Sequence, residues 1–202
     1  MPTITIPAGK YDAFLFDCDG TLADSMPVHF KAWTSALEQL SGAPSKFEES
    51  FFYTLGGIPT RKIVEILNGK YGYSLDPEET AHIKELEFLQ WLGDIKPIAA
   101  TVELVKSMGK DVPKGVVSGG LSHIVGHTLD VLGIHDYFQT VVTADMVEHG
   151  KPFPDMYLLA AEHLKAKPER CLVFEDAPPG FDAAKAAGMD FIDVIPYYEK
   201  AA

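Results

Sequence analysis

The stretch Ala13-Phe-Leu-Phe-Asp-Cys-Asp-Gly-Thr21 decides the fold. Four apolar residues are followed at once by two carboxylates two positions apart and by a glycine. A continuous apolar run of this length is typical of a strand buried on both faces, as in a parallel sheet. Because carboxylates at the end of a buried strand are costly to desolvate, the pattern predicts a compensating group, of which a bound cation is the simplest.

Four further apolar runs predict the rest of the sheet, at 115–118, 140–143, 171–175 and 191–195. Helical patterns separate the later runs, at 98–109, 122–133, 154–165 and 178–188. Strands that alternate with helices imply βαβ units. We therefore predict an α/β fold with a doubly wound, Rossmann-like parallel sheet.

Residues 26–93 break this alternation. They contain helical patterns near 27–40, 60–71 and 77–92 and no convincing strand. We predict a core of residues 1–25 and 94–202 with an all-helical cap, residues 26–93, inserted after the first strand. An insert at the carboxyl end of a strand stands where open α/β sheets bind ligands.

Composition narrows the function classes. The 202 residues include 47% hydrophobic and 23% charged ones, which is typical of a globular protein and not of a disordered one. The formal net charge of −12 makes nucleic acids and anionic membranes poor partners. We see no signal peptide and no apolar stretch of membrane-spanning length, so we expect a cytoplasmic protein whose two cysteines are small buried residues.

Polar side chains follow the other strands too. Ser118 precedes Gly119 and Gly120, which predicts either an anion-binding loop with accessible amides or a plain strand-to-helix turn. Lys151 follows the third run and can neutralise a phosphate or a carboxylate. Glu175 and Asp176 follow the fourth.

Together these groups predict phosphoryl transfer. Asp17, Asp19, Glu175 and Asp176 form a hard, oxygen-rich set suited to Mg²⁺. Mg²⁺ and a lysine would offset the charge of a phosphate and let a carboxylate attack it, while a neighbouring carboxylate moves the proton.

Four ordered segments resemble the motifs of the haloacid dehalogenase superfamily. They are Asp17-Cys-Asp-Gly-Thr21, Ser118, Lys151-Pro152 and the run from Glu175-Asp-Ala-Pro-Pro-Gly to Met189. The helical insert is similar to the cap of its sugar-phosphate phosphatases and β-phosphoglucomutases. Leu55-Gly-Gly-Ile-Pro-Thr60 and residues 141–159 resemble the fructose-1-phosphate phosphatase-like members most closely.

The resemblance implies a role for each matching position. Asp17 would be the nucleophile and a Mg²⁺ ligand, and Asp19 the general acid and base, with its backbone carbonyl on the metal. Ser118 and Lys151 would hold the transferring phosphoryl group. Asp176 would bind Mg²⁺, and Glu175 would bind it directly or through water.

Two departures favour a phosphatase over a mutase. After the second-motif serine, β-phosphoglucomutase carries a serine-lysine-asparagine run, whereas this chain has Gly120-Leu-Ser122. The cap arginine of the mutase aligns with Thr60 or, shifted by one, with Arg61. We expect a monomeric phosphatase acting on a small sugar phosphate, with a mutase and a catalytically idle binding protein as alternatives; a dehalogenase suits the acid set less well.

Cap residues should set specificity. His29 matches a cap histidine near the acid/base of this group, and Lys84 loosely matches a lysine that faces the substrate, although a solvated lysine fits Lys84 better. Gly57 either lets the cap loop approach the substrate or forms a plain turn. We expect Trp33 to lie in the core. His123 and His127 have zinc-like spacing without a third ligand, which favours helix surface or packing.

Overall fold

The computed structural model describes residues 4–55 and 58–198. Contacts divide the chain into two units, Met1–Asp24 with Lys96–Ala202 and Ser25–Ile95. The sequence-based boundaries fall after residues 25 and 93. Each unit is described by itself below.

The first unit is built on a five-stranded sheet in which every neighbouring pair is parallel, in the order β5-β4-β1-β6-β7. Its strands are β1 (Ala13–Phe16), β4 (Lys114–Ser118), β5 (Thr140–Thr143), β6 (Cys171–Glu175) and β7 (Asp190–Asp193). A short antiparallel pair, β2 (Ala23–Asp24) and β3 (Lys96–Pro97), forms a separate sheet. The predicted α/β fold with a parallel sheet is confirmed.

The helices of this unit follow the predicted alternation. They are α5 (Ala99–Met108), α6 (Ser122–Val131), α7 (Asp155–His163) and α8 (Pro178–Ala186). Each ends before the predicted limit because its last residues form the turn into the next strand. The buried Lys114 side chain satisfies the end of α5, donating to the carbonyls of Gly109 at 2.5 Å and Val112 at 2.7 Å.

The central strands are buried as the apolar runs predict. Every residue of β4 and β6 is buried, and the rings of Phe16 and Phe174 on neighbouring strands stack at 4.4 Å. The last run behaves differently, because β7 is an edge strand with partly exposed residues and ends at Asp193. Ile195 and Pro196 begin a 3₁₀ turn instead, and Ile195 is 47% exposed.

The second unit is helical. It contains α1 (Met26–Ser41), α2 (Glu49–Tyr53), α3 (Thr60–Tyr71) and α4 (Pro77–Gln90). Its core is a cluster of aromatic and aliphatic side chains in which Trp33 is buried, as predicted. Left-handed glycines, Gly42 and Gly72, end α1 and α3.

Two further sequence-based expectations concern the cysteines and the lack of a membrane-spanning helix. Cys18 and Cys171 are both buried and unpaired, as predicted. Among the helices in the described ranges, none has the length and apolar character needed to cross a bilayer.

Candidate active site

The carboxyl ends of the three central strands bring the predicted acids and the serine to one edge of the sheet. Phe16 pairs with Val116 on one side and with Phe174 on the other, so the residues that follow β1, β4 and β6 are neighbours. The Asp17 amide donates to the Phe174 carbonyl at 3.0 Å, which fixes Asp17 beside Glu175. The edge lies where parallel sheets bind ligands.

Lys151 ties these strand ends together. Its Nζ lies 2.6 Å from Asp17 Oδ1 and 2.6 Å from Glu175 Oε1, and it donates to the Val117 carbonyl at 3.0 Å. Burial by itself would lower the pKa of this amine, but the charges around it, Asp17 first, outweigh burial and raise the pKa well above its usual value. Lys151 is therefore a cation across the physiological pH range.

Three carboxylates crowd beside this lysine. Oxygens of Asp17, Glu175 and Asp176 all lie within 4.8 Å of one another. Burial raises the pKa of Asp17, and the neighbouring carboxylates raise it further against the opposing effect of Lys151. Burial and the charge of Glu175 raise the pKa of Asp176 to about 7. One lysine does not compensate two buried acids and a half-buried one, so the cluster favours a second cation.

The pattern of hydrogen bonds shows which acids can accept that cation. Both Glu175 oxygens are occupied, Oε1 by Lys151 and Oε2 by the amides of Asp176 at 2.8 Å and Ala177 at 2.9 Å. Within the described ranges, Asp17 and Asp176 each keep one carboxylate oxygen without a hydrogen-bond donor. Two such oxygens in a buried site are hard donors that suit Mg²⁺. Elsewhere in the part of the chain that the structure describes, no group of three His, Cys, Asp or Glu side chains comes as close.

Asp19 and Ser118 lie together at the same edge. Ser118 is fully buried, and its Oγ donates to Asp19 Oδ2 at 3.4 Å. The Gly120 amide donates to Ser118 Oγ at 3.1 Å, and the substrate-binding roles of Gly119 and Gly120 stay predictions. Gly119 is exposed at the tip of the turn.

Three residues that support the site escaped the sequence reasoning. Thr21 Oγ1 donates to Asp176 Oδ1 at 3.1 Å, and the buried Tyr157 hydroxyl lies 3.4 Å from Glu175 Oε1. Gly180 of α8 lies against Glu175, whose carboxylate would overlap a Cβ at that position. A lone threonine, tyrosine or glycine carries no motif, although Thr21 and Gly180 stand within the quoted segments.

Gly20 makes the turn after Asp19 possible. Its φ is +86°, and a Cβ there would overlap the Asp176 carboxylate. Both the conformation and the space therefore require glycine. The Gly20 amide donates to the Ala23 carbonyl at 2.8 Å and closes the turn.

The Tyr198 hydroxyl is a further polar group on this side of the sheet. It is buried and has no hydrogen-bond partner among the described residues. Burial, followed by the charge of Asp176, raises its pKa. No sequence pattern pointed to it.

The predicted cap residues lie in the second unit. Lys84 Nζ is 2.9 Å from His29 Nδ1, and the His29 ring stacks on Phe88 with centroids 4.1 Å apart. Lys84 is only 7% exposed, so the solvated alternative for it is wrong. Gly57 lies outside the described residues. His123 and His127 are exposed on α6.

A family model and three known proteins match this chain. The model of the haloacid dehalogenase-like hydrolases matches residues 14–194. The fructose-1-phosphate phosphatase YqaB of Escherichia coli strain K12 is 37% identical over 185 residues, which cover 92% of this chain and 97% of that protein.

Two solved structures share the fold over most of the chain. The structure of CbbY from Rhodobacter sphaeroides in complex with phosphate has a TM-score of 0.80 at 25% identity and covers 91% of this chain and 85% of its own. The β-phosphoglucomutase of Clostridium difficile has a TM-score of 0.74 at 26% identity, with coverage of 91% and 84%.

Proposed function

The chain belongs to the haloacid dehalogenase-like hydrolases, and on that basis we propose that it is a Mg²⁺-dependent phosphatase acting on a small sugar phosphate. A hexose phosphate such as fructose 1-phosphate is the proposed substrate, supported by the similarity to a fructose-1-phosphate phosphatase. The observation that carries the proposal is the environment of the Asp17 carboxylate. Asp17 is 7% exposed, is ion-paired to Lys151 and keeps one oxygen without a donor among the described residues.

Asp17 is the proposed nucleophile. Its unpaired carboxylate oxygen attacks phosphorus, a new O–P bond forms, and the bond from phosphorus to the sugar oxygen breaks. Lys151 and Ser118 hold the oxygens of the transferring phosphoryl group. Because Lys151 is bonded to Asp17 Oδ1, the other carboxylate oxygen, Oδ2, is the one proposed to attack.

Asp19 is the proposed general acid and base. It donates a proton to the leaving sugar oxygen, and then takes a proton from the water that attacks the aspartyl-phosphate. That second step releases orthophosphate and restores the Asp17 carboxylate. Ser118 donates to Asp19 Oδ2 and thereby orients it.

Asp17 and Asp176 are the proposed Mg²⁺ ligands, with the Asp19 carbonyl. When bound, the ion supplies charge neutralisation that lets an anionic carboxylate approach a phosphate. Glu175 fits an indirect role better than a direct one because both of its oxygens are occupied. We also expect a monomeric, cytoplasmic protein, and both expectations stay predictions.

Phosphate release from a panel of metabolites tests the proposal. The panel contains fructose 1-phosphate, glucose 6-phosphate, β-glucose 1-phosphate, 2-phosphoglycolate and nucleotides, each with Mg²⁺ or with a chelator. Asp17→Asn should lower release by at least about a thousandfold. Asp12→Asn is the matched control, because Asp12 is an exposed residue just before β1 that pairs with Arg170. Release that survives Asp17→Asn would refute the nucleophile.

The mutase alternative has its own result in this panel. The similarity to a β-phosphoglucomutase structure supports the mutase as an alternative. Conversion of β-glucose 1-phosphate to glucose 6-phosphate faster than phosphate release would replace the phosphatase by the mutase. If the protein neither converts β-glucose 1-phosphate nor releases phosphate from any compound, the remaining alternative is a catalytically idle binding protein.

A further inference from the structure

The turn after β4 needs an external support. It joins Ser118 to the first residue of α6, Ser122, and contains two adjacent glycines. Glycines give a chain the most conformational freedom, so a loop built from them loses the most entropy when it is fixed. A loop that holds a phosphoryl group must nevertheless be fixed before the substrate arrives.

Asp145, just beyond β5, accepts hydrogen bonds from Ser122 at the far end of this turn. Its Oδ1 accepts from the Ser122 amide at 3.2 Å, and its Oδ2 accepts from Ser122 Oγ at 2.8 Å. Its Oδ1 also accepts from Thr143 Oγ1 at 2.6 Å. The two hydroxyl oxygens are themselves 2.6 Å apart, so the three side chains are in mutual contact.

The same segment holds the middle and the start of the turn. The Ala144 amide donates to the Gly120 carbonyl at 3.2 Å. Thr143 is fully buried and pairs in register with Ser118 across the β4–β5 ladder. Residues 143–145 therefore contact the turn near its beginning, in its middle and at its end.

We infer that Asp145 is a positioning residue, which fixes the phosphate-binding turn 118–120 by holding Ser122 against the end of β5. The inference rests on the proposed function, in which Ser118 holds the transferring phosphoryl group. The hydrogen bond from Thr143, with those from Ser122, lowers the pKa of Asp145, so the acceptor is a carboxylate at neutral pH. Asp145 is exposed, and it acts through Ser122 and not through the substrate.

Asp145→Ala and Asp145→Asn separate positioning from simple helix capping. With the alanine variant we expect KM for the best substrate and the inhibition constant of orthophosphate to rise about three- to tenfold, because a misplaced loop loses phosphate contacts. The asparagine variant should recover part of this loss, since an amide oxygen in the place of Oδ1 still accepts from the Ser122 amide and from Thr143 Oγ1, whereas the NH2 group in the place of Oδ2 cannot accept. The control is Asp136→Ala, an exposed aspartate paired with Lys110, and it should behave as wild type.

A double-mutant cycle adds an independent readout. Ser122→Ala should raise the inhibition constant of orthophosphate in the wild-type background and add little in Asp145→Ala, because both changes open the same contact. Fully additive effects would overturn the inference. So would unchanged constants in Asp145→Ala, whether or not its melting temperature falls, and so would an asparagine variant as impaired as the alanine one.

Orthophosphate binding, measured by calorimetry with Mg²⁺ present, keeps this test distinct from the test of the proposed function. If the wild type releases no phosphate from any substrate, the proposed function fails, but the affinities of wild type and Asp145→Ala for orthophosphate still decide the role of Asp145. A wild type that does not bind orthophosphate would overturn both.

Discussion

Gly180→Ala should lower both the stability and the activity of the protein, although alanine is a better helix former than glycine. Gly180 lies in α8, where replacing glycine by alanine ordinarily stabilises by about 0.5–1 kcal/mol. Here the added methyl would overlap the Glu175 carboxylate. Glu175 cannot move freely, because it accepts hydrogen bonds from Lys151 at 2.6 Å and from the backbone amides of the two residues just before α8.

The size of the effect follows from those contacts. Overpacking a filled site costs about 1–3 kcal/mol, and breaking a buried ion pair costs about 3–5 kcal/mol. With partial relief by a shift of α8, we expect a net loss of about 2–4 kcal/mol in the free energy of unfolding. At about 2–4 °C per kcal/mol for a chain of this length, the melting temperature should fall by about 4–16 °C.

The chain offers a matched control in another helix. Gly126 lies inside α6, and a Cβ there would meet only His135 Cε1, at 3.9 Å. Gly126→Ala should therefore leave stability unchanged or raise it by about 0.5–1 kcal/mol. Urea unfolding of both variants and of wild type, followed by circular dichroism, gives the difference, and kcat/KM should fall only in Gly180→Ala. A Gly180→Ala protein as stable and as active as Gly126→Ala would refute the reasoning.

Three further predictions concern charged groups. Lys151→Met should abolish phosphate release and destabilise the fold by about 3–5 kcal/mol in urea, because it leaves Asp17 and Glu175 buried without a cation; a stable variant would contradict this. MgCl₂ at about 100 times its Kd should stabilise wild type by about 2.7 kcal/mol in thermal unfolding, and Asp176→Asn should lose most of that gain at equal concentration. Burial lowers the pKa of Lys114 from 10.5, so the unfolded chain binds more protons at alkaline pH. The stability of wild type relative to Lys114→Met should therefore rise as the pH increases toward 10.5, the ordinary pKa of this side chain. A stability difference that does not change with pH would refute this prediction.

The parts of the fold that the sequence predicts are those governed by burial. β4 and β6 were predicted to within one residue, because both faces of a central strand are covered and its apolar run is continuous. β2 and β3 have two residues each and show no periodicity that could predict them. The five residues of α2 are likewise too few for a helical pattern to emerge.

The candidate site also has features that the sequence predicts and features that it does not. A motif at each strand end suffices to predict that Asp17, Ser118 and Glu175 lie at the same edge of the sheet, because parallel strands end at one edge. Which atoms pair does not follow from a motif, since Lys151 divides its hydrogen bonds between two acids and a carbonyl. The sequence near Lys84 does not predict its burial, because a side chain that it contacts, His29, is 55 positions away in the chain.

The small β2–β3 ladder has a consequence for how this protein can change over time. Ala23 pairs with Pro97, and Asp24 pairs with Lys96, so the two ends of residues 25–95 leave the core side by side. Residues 25–95 therefore connect two paired antiparallel strands, as the turn of a β-hairpin does, whatever the length of the segment. Because doubling a closed loop costs only about 0.6 kcal/mol, insertions, deletions or an exchanged module should be tolerated between these two strands. The insert can then vary in length and sequence while the side chains at the strand ends, which form the candidate site, are inherited unchanged.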